Sequence, residues 1–225
     1  MHCYFIGSVL KILSHKIVGG SPEEAMKVVW KEVLAEYTAQ KTIVQFTTLG
    51  VNSFTDSKKK AGAYPRLSGS GSEIKGLVRP LAAVWRKFMR AGEHDNRVAM
   101  AFDSICHLQR ILDDNSHECF IPMEQCDELK RHTDLFLEHY SWLGVEADRR
   151  SECLFTAAPK LHWAWHMADR CRYLNPRKVA TWTGEDFVKH TKRIAVRSCA
   201  GTPLHAVPLS VMGKYRWGLH IDMVN

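Results

Sequence analysis

The chain has 225 residues, of which 45% are hydrophobic and 24% charged, so it has the composition of a globular protein with one large core or two small ones. Its net charge of +7 permits binding to nucleic acid, and its seven scattered cysteines, with no CxxC pair, argue against a disulfide framework and against a zinc ribbon. No apolar run approaches the roughly 18 residues that a membrane helix needs, so we expect an intracellular protein without a membrane partner.

Two helices are predicted at the start of the chain, in residues 2–18 and 21–40. The first ends at the glycine pair 19–20. The second begins with SPEE, in which Ser21 can cap the helix, Pro22 suits the first turn and Glu24 completes a capping box. Apolar residues then repeat at helical spacing and predict the inward face: Met26, Val29, Trp30, Val33, Leu34 and Tyr37.

The segment Thr42–Leu49, TIVQFTTL, is rich in β-branched residues and uncharged, so it is the one strand that the sequence predicts. From Asn52 to Ser72 the composition shifts to Gly, Ser, Lys and Pro, which indicates a loop or linker. Within it, SGSGS lacks both the preceding strand and the GK[ST] of a phosphate-binding loop, so we interpret it as flexible linker.

Helical periodicity dominates the remaining sequence, so the predicted class is mainly α. The predicted helices are Leu81–Arg90, Arg97–Asp113, Met123–Leu143, one that begins at Pro159, one from Thr183 to Gly201, and a short one over Leu209–Trp217. The chain is accordingly divided into N-terminal helices with a possible strand (1–51), a loop or linker (52–80), and a helical domain (81–225) with an acidic helix at 184–200.

The stretch HWAWHMADRC, from His162 to Cys171, places two histidines at i and i+4 on one helix face. That spacing can seat a zinc ion, with Asp169 or Cys171 as further ligands, but a zinc site needs three or four ligands and only His162 and His166 are well placed. We favour a structural helix in which the histidines hydrogen-bond to neighbouring groups. In this interpretation the large side chains next to the histidines pack in the protein: Trp163, Trp165 and Met167.

Glu185 and Asp186 lie just inside the start of the last long helix. Carboxylates there interact favourably with the positive helix pole and stay ionised, as a Mg²⁺ ligand must. Thr183 and Asp186 also form a capping pair, and the local sequence favours that interpretation.

Two groups of basic residues could contact phosphate. Charge runs are more often solvated faces, and we favour that alternative from the sequence. The residues concerned are Lys58, Lys59, Lys60, Arg86, Lys87 and Arg90.

Four stretches stand out by their order along the chain. They are MHCYFIGSVLKIL at the start, PRLSGSGSEIKGLVRPLAAVW from Pro65 to Trp85, APKLHWAWHMADRC with Pro159, His162 and His166, and WTGEDF from Trp182. Together they resemble the catalytic region of eukaryotic DDE-type transposases of the CACTA and Kyakuja–Dileera–Zisupton kind. The first is similar to the family signature D-x-M-H-x-x-x-x-G-x-x-K-x-L, the second to the start of an inserted helical region, the third to a P-x-x-H-x-x-x-H helix, and the fourth to an F-E-R-aromatic motif.

The resemblance implies an RNase H-like core in which acidic residues hold two Mg²⁺ ions for DNA cleavage and strand transfer. Glu185 matches the motif glutamate proposed as the third acid, whereas Asp186 stands where the family has a basic residue and Gly184 where an aromatic is usual. DNA as the partner, a nuclear location and Mg²⁺ for the intact enzyme are likewise implied by the resemblance.

The signature aspartate would lie two residues before Met1, and the strand with the first aspartate further upstream. A single carboxylate cannot hold two Mg²⁺ ions. We therefore expect a transposase-derived fragment, inactive alone and without a cofactor, comprising the helical insertion and the C-terminal helix of an RNase H-like core whose catalytic sheet is largely missing. The alternatives are a helical nucleic-acid-binding or interaction module without catalysis and a zinc-stabilised helical domain.

Overall fold

A computed structural model describes residues 2–55, 63–179, 194, 196–199, 201 and 203–214. Over these residues the chain is mainly helical, as predicted, and contains no strand. It divides into two units, Met1–Pro176 and Arg177–Asn225. Among the described helices, none is both long enough and apolar enough to cross a membrane.

The first helix forms where the sequence predicts it. Helix α1 (His2–Ile12) continues into a π-helical turn, Leu13–Ile17, and the chain then turns at Gly19 and Gly20. Both glycines have positive φ angles, 79° and 80°, a conformation that only glycine adopts without strain. The glycine pair therefore ends the helix for a conformational reason.

Helix α2 (Pro22–Ala39) begins at the predicted capping box. Glu24 N donates to Ser21 Oγ over 3.3 Å, and Ser21 N donates to Glu24 Oε2 over 3.0 Å. On the predicted inward face Leu34 is 43% exposed, so the buried stripe is narrower than expected: Met26, Val29, Val33 and Tyr37.

The prediction of a strand at Thr42–Leu49 is wrong. The segment is irregular and passes over helix α3 (Gly71–Phe88), where the carbonyl of Val44 lies against Gly76. A strand needs a partner for its backbone groups, and none exists among the described residues. Its apolar side chains are buried against helices instead, as Phe46 and Leu49 show.

Helix α3 begins at Gly71 rather than at Leu81, so the interpretation of residues 71–80 as linker is wrong. Ser70 caps the helix: Glu73 N donates to Ser70 Oγ over 3.3 Å, and Ser70 N donates to Glu73 Oε2 over 2.8 Å. The predicted flexible linker SGSGS is therefore a helix start, because the capping box S-x-x-E outweighs the weak helix propensity of its glycines.

Helices α4 (Glu93–Asp114) and α5 (Met123–Arg149) extend past their predicted bounds and pack as an antiparallel pair. Helix α6 (Pro159–Arg170) begins at Pro159, as predicted, and the short α7 covers Pro176–Val179. In the second unit, residues 196–199 and 207–214 are helical, in agreement with parts of the last two predicted helices. The start of the predicted acidic helix lies outside the described residues.

The main hydrophobic core is built by α1 to α5 around Phe5. The centroid of its ring lies 4.9 Å from that of Phe102 in α4 and 5.7 Å from that of Phe136 in α5. A second, smaller cluster joins the ends of α4 and α5 to α6. This second cluster decides which side of α6 faces solvent.

Candidate nucleic-acid interface

Helix α6 packs on its neighbours through a narrow stripe. Ala168 and Cys171 are buried in the second cluster, and Leu161 is partly buried against the main core. Positions separated by seven and three residues lie on one side of a helix. The far end is fixed by the buried Asn175, whose Nδ2 donates to the Asn115 carbonyl over 2.7 Å and to the Glu118 carbonyl over 2.9 Å.

The narrow stripe leaves large aromatic side chains in solvent. Trp163 is 68% exposed, Trp165 38% and Tyr173, just beyond the helix, 72%. Met167 is 37% exposed. The prediction that Trp163 packs is therefore wrong, because the small residue Ala168 occupies the inward position, whereas Trp165 and Met167 are partly covered, as their exposures show.

One cation contacts an aromatic side chain of α6, and two more lie at the end of the helix. The Nζ of Lys130, from α5, lies 4.9 Å from the centroid of the Trp165 ring, a cation–π geometry, and 3.5 Å from a carboxylate oxygen of Asp134. Arg170 is exposed at the end of α6, and Arg172, two residues further, lies 3.8 Å from the Asp169 carboxylate. We use the name aromatic face for six residues on and around α6: Lys130, Trp163, Trp165, Arg170, Arg172 and Tyr173.

The two motif histidines lie on the same helix, one turn apart. His162 Nε2 and His166 Nε2 are 2.9 Å apart, so the predicted hydrogen bonding of these rings is to one another. Pro159 occupies the first turn of α6, where its missing N–H costs nothing. No group of three or more His, Cys, Asp or Glu side chains that could hold a metal occurs in the described part of the chain.

The further zinc ligands that the sequence offered are not available to this pair. Cys171 is 1% exposed, and burial raises the pKa of its thiol to about 12, so it is not the thiolate that zinc requires. Asp169 interacts with Arg172. A closed tetrahedral zinc site, which needs four ligands, is therefore not assembled by the neighbours that the sequence suggested.

Of the basic residues predicted to contact phosphate, the three that the structure describes are each paired with a carboxylate. Arg86 pairs with Asp103 and Lys87 with Glu32. Arg90 Nε lies 3.5 Å from a carboxylate oxygen of Asp95. Pairing lowers the positive potential at these sites and so weakens any phosphate contact there. Lys58, Lys59 and Lys60 lie outside the described residues.

The predicted acidic site also lies outside the described residues, since Thr183, Gly184, Glu185 and Asp186 are not among them.

The aromatic face was not predicted from the sequence. The available signal was the spacing of Ala164 and Ala168, which are four residues apart and so share the side of the helix that packs, while Trp163 and Trp165 lie on its flanks.

A cavity of about 290 Å³ lies where the π-helical turn after α1 meets residues 151–154. Lys11, His15 and Lys16 line one wall, and Lys16 pairs with Glu152 across it. The ion pair neutralises part of the positive charge and so weakens this cavity as an anion site.

Comparison of the chain with protein-family models, with curated proteins and with solved structures gives no match.

Proposed function

We propose that the chain is a transposase-derived helical domain that binds DNA through the aromatic face. The observation that carries the proposal is the exposure of Trp163 and Tyr173, at 68% and 72%, on and just after α6, the helix whose Trp165 lies beneath the Lys130 ammonium. Indole and phenol rings held in water by a packed helix are available for stacking.

Stacking on aromatic side chains is how proteins hold unpaired bases, and each stacked base contributes about 1–3 kcal/mol. Arg170 supplies the accompanying attraction to phosphate, and Lys130 and Arg172 add less, because each is paired with a carboxylate. The net charge of +7 favours the same partner. We therefore propose that the preferred ligand is DNA with unpaired bases rather than intact duplex.

The resemblance to DDE-type transposases supports DNA over RNA as the partner and a nuclear location for the protein. It also supports the RNase H-like origin of the C-terminal helix and the role of Glu185 as third acid of an intact, Mg²⁺-dependent enzyme.

Fluorescence anisotropy with a labelled single-stranded 20-mer and its duplex tests the proposal. The Trp163→Ala/Tyr173→Ala double variant should bind the single strand at least tenfold more weakly, since tenfold corresponds to about 1.4 kcal/mol and two stacked bases exceed that. The affinity of the wild type for the single strand should fall with salt on a log–log slope between about −0.7 and −2, as expected for one to three phosphate contacts.

Two control variants separate the aromatic face from the rest of the surface. Ile43→Ala removes a side chain that is 96% exposed elsewhere, and Arg86→Gln removes a cation already paired with Asp103. Both should bind DNA like the wild type. Equal binding by the double variant and the wild type, or preference for the duplex, would refute the proposal.

A further inference from the structure

The imidazole rings of His162 and His166 converge on one point in solvent. Their Nε2 atoms are 2.9 Å apart, and the ring planes are inclined at 83°. His162 is exposed and His166 half-buried. A proton shared between the two nitrogens holds this arrangement, and one ring donates while the other accepts.

A metal ion can take the place of that shared proton. In a tetrahedral zinc site with Zn–N distances of about 2.0–2.1 Å, two ligand nitrogens lie about 3.3 Å apart. The two Nε2 atoms would have to separate by a few tenths of an ångström, which rotation of the exposed His162 side chain supplies. In the metal-bound form the ring that donated carries its proton on Nδ1 instead of Nε2, so the Nε2 lone pairs of both neutral rings point at the ion.

We propose that His162 and His166 form an open, two-histidine site for a divalent transition-metal ion of the kind that imidazole prefers: copper, nickel or zinc. Solvent fills the remaining coordination positions, because Cys171 is buried as a neutral thiol and Asp169 lies beside Arg172. Such a site is weaker than a structural zinc site and does not stabilise the fold by itself. The inference is independent of DNA binding.

The site is tested by isothermal titration of the metal-free, full-length protein with Cu²⁺, Ni²⁺ and Zn²⁺. His162→Ala and His166→Ala should each lower the affinity at least tenfold, since either change halves the protein ligand set. His117→Ala is the matched control, because His117 is an exposed histidine in the turn after α4, outside the pair formed by His162 and His166. This variant should bind as the wild type does.

Electron paramagnetic resonance of the Cu²⁺-loaded protein gives a readout that does not depend on affinity. The wild type should show nitrogen hyperfine structure from two imidazoles, and each histidine variant a spectrum with fewer nitrogens. Far-UV circular dichroism checks that the variants keep their helices, which we expect because alanine has the highest helix propensity. Equal affinities in the wild type and the double variant, or copper without nitrogen ligands, would overturn the proposal.

Discussion

Asp95 is a buried carboxylate whose partners lie at the connection between α3 and α4. Its side chain accepts hydrogen bonds from Arg90 N over 2.9 Å and from His94 Nδ1 over 3.0 Å, and its backbone carbonyl accepts one from Trp85 Nε1 over 3.1 Å. Burial raises the pKa of Asp95, but the hydrogen bonds and charges of Arg90 and His94 outweigh it, so the pKa is lowered. The ionised form is thus the one that the fold stabilises.

Asp95→Asn should lower the free energy of unfolding by about 1–3 kcal/mol at pH 7, because the neutral amide loses charge-assisted hydrogen bonds. Urea denaturation measures the change. Glu93→Gln, two residues earlier and exposed, is the control and should change stability by no more than about 0.5 kcal/mol.

Because a lowered carboxyl pKa stabilises the fold above the pKa of the unfolded state, the difference in the free energy of unfolding between Asp95→Asn and the wild type should shrink as the solution is acidified. A difference that stays constant down to strongly acidic pH would contradict this assignment.

Two histidines in α5 lie against α4 with lowered pKa values. Burial lowers the pKa of His132, and the charges of His107, which stacks on it at 4.4 Å, and of Arg131 lower it further. Burial also lowers the pKa of His139, as does Arg97, whose Nη1 lies 3.4 Å from His139 Nδ1. Both rings are therefore kept neutral by the α4–α5 pairing.

Stability should consequently fall on acidification. Above about pH 6.5, the pKa of a histidine in the unfolded chain, both states are neutral at these sites and stability is at its full value. Below it the unfolded chain takes up protons that the folded chain does not, so the free energy of unfolding decreases until the folded-state pKa values are reached. Urea denaturation at a series of pH values measures this decrease. Between about pH 6.5 and 5 the free energy of unfolding should fall less steeply with decreasing pH in His132→Gln/His139→Gln than in the wild type. Identical slopes would contradict the prediction.

At the scale of elements, the contact between α3 and the segment Thr42–Leu49 depends on Gly76. A Cβ at this position would overlap the carbonyl oxygen of Val44, which is backbone and cannot rotate away. The hydrogen bond from Phe46 N to Tyr37 Oη, 3.4 Å long, holds the same segment from α2. Glycine is thus required at position 76 because the backbone of α3 and the backbone of the segment at Val44 approach each other closely.

Gly76→Ala should destabilise the protein by about 1–3 kcal/mol, although alanine is the better helix former, because the segment must move off α3. Thermal unfolding of the variant and of the wild type measures the loss. Gly50→Ala provides the comparison, since nothing lies within 4 Å of a Cβ there and its backbone is extended. A stabilised Gly76→Ala variant would show that the segment does not pack against α3.

At the scale of the whole first unit, the core is organised by one aromatic side chain of α1. Phe5 is fully buried, and its ring contacts Phe102 and Phe136 edge to face and lies 6.2 Å from the ring of Phe155. These residues come from α4, from α5 and from the connection to α6. The N-terminal helix is therefore part of the common core.

Phe5→Ala should lower the free energy of unfolding by about 3–5 kcal/mol, the range for removing a buried aromatic side chain. Chemical denaturation followed by circular dichroism measures it, and Ile43→Ala, at a side chain that is 96% exposed, should stay within about 0.5 kcal/mol of the wild type. A small effect of Phe5→Ala would indicate that α1 does not belong to the core.

Local signals predicted much of the helical content correctly. The capping box at Ser21, the glycine pair at 19–20 and Pro159 each act on neighbouring residues, so they have the same effect in any fold. The strand at Thr42–Leu49 was predicted wrongly because strand formation depends on a distant partner, which a local pattern does not contain. The acidic site at Glu185 lies outside the described residues and stays a prediction.

The sequence by itself determined the helical class and the places where most described helices begin, because capping and periodicity are contained in a few neighbouring residues. Only the tertiary structure decided which side of each helix is covered. HWAWHMADRC offers tryptophan, histidine and alanine to any neighbour, and the packing of Ala168 and Cys171 inward leaves Trp163 and His162 in solvent. Burial is a property of two surfaces together, so the aromatic face and the paired histidines appear only once α6 lies on α5.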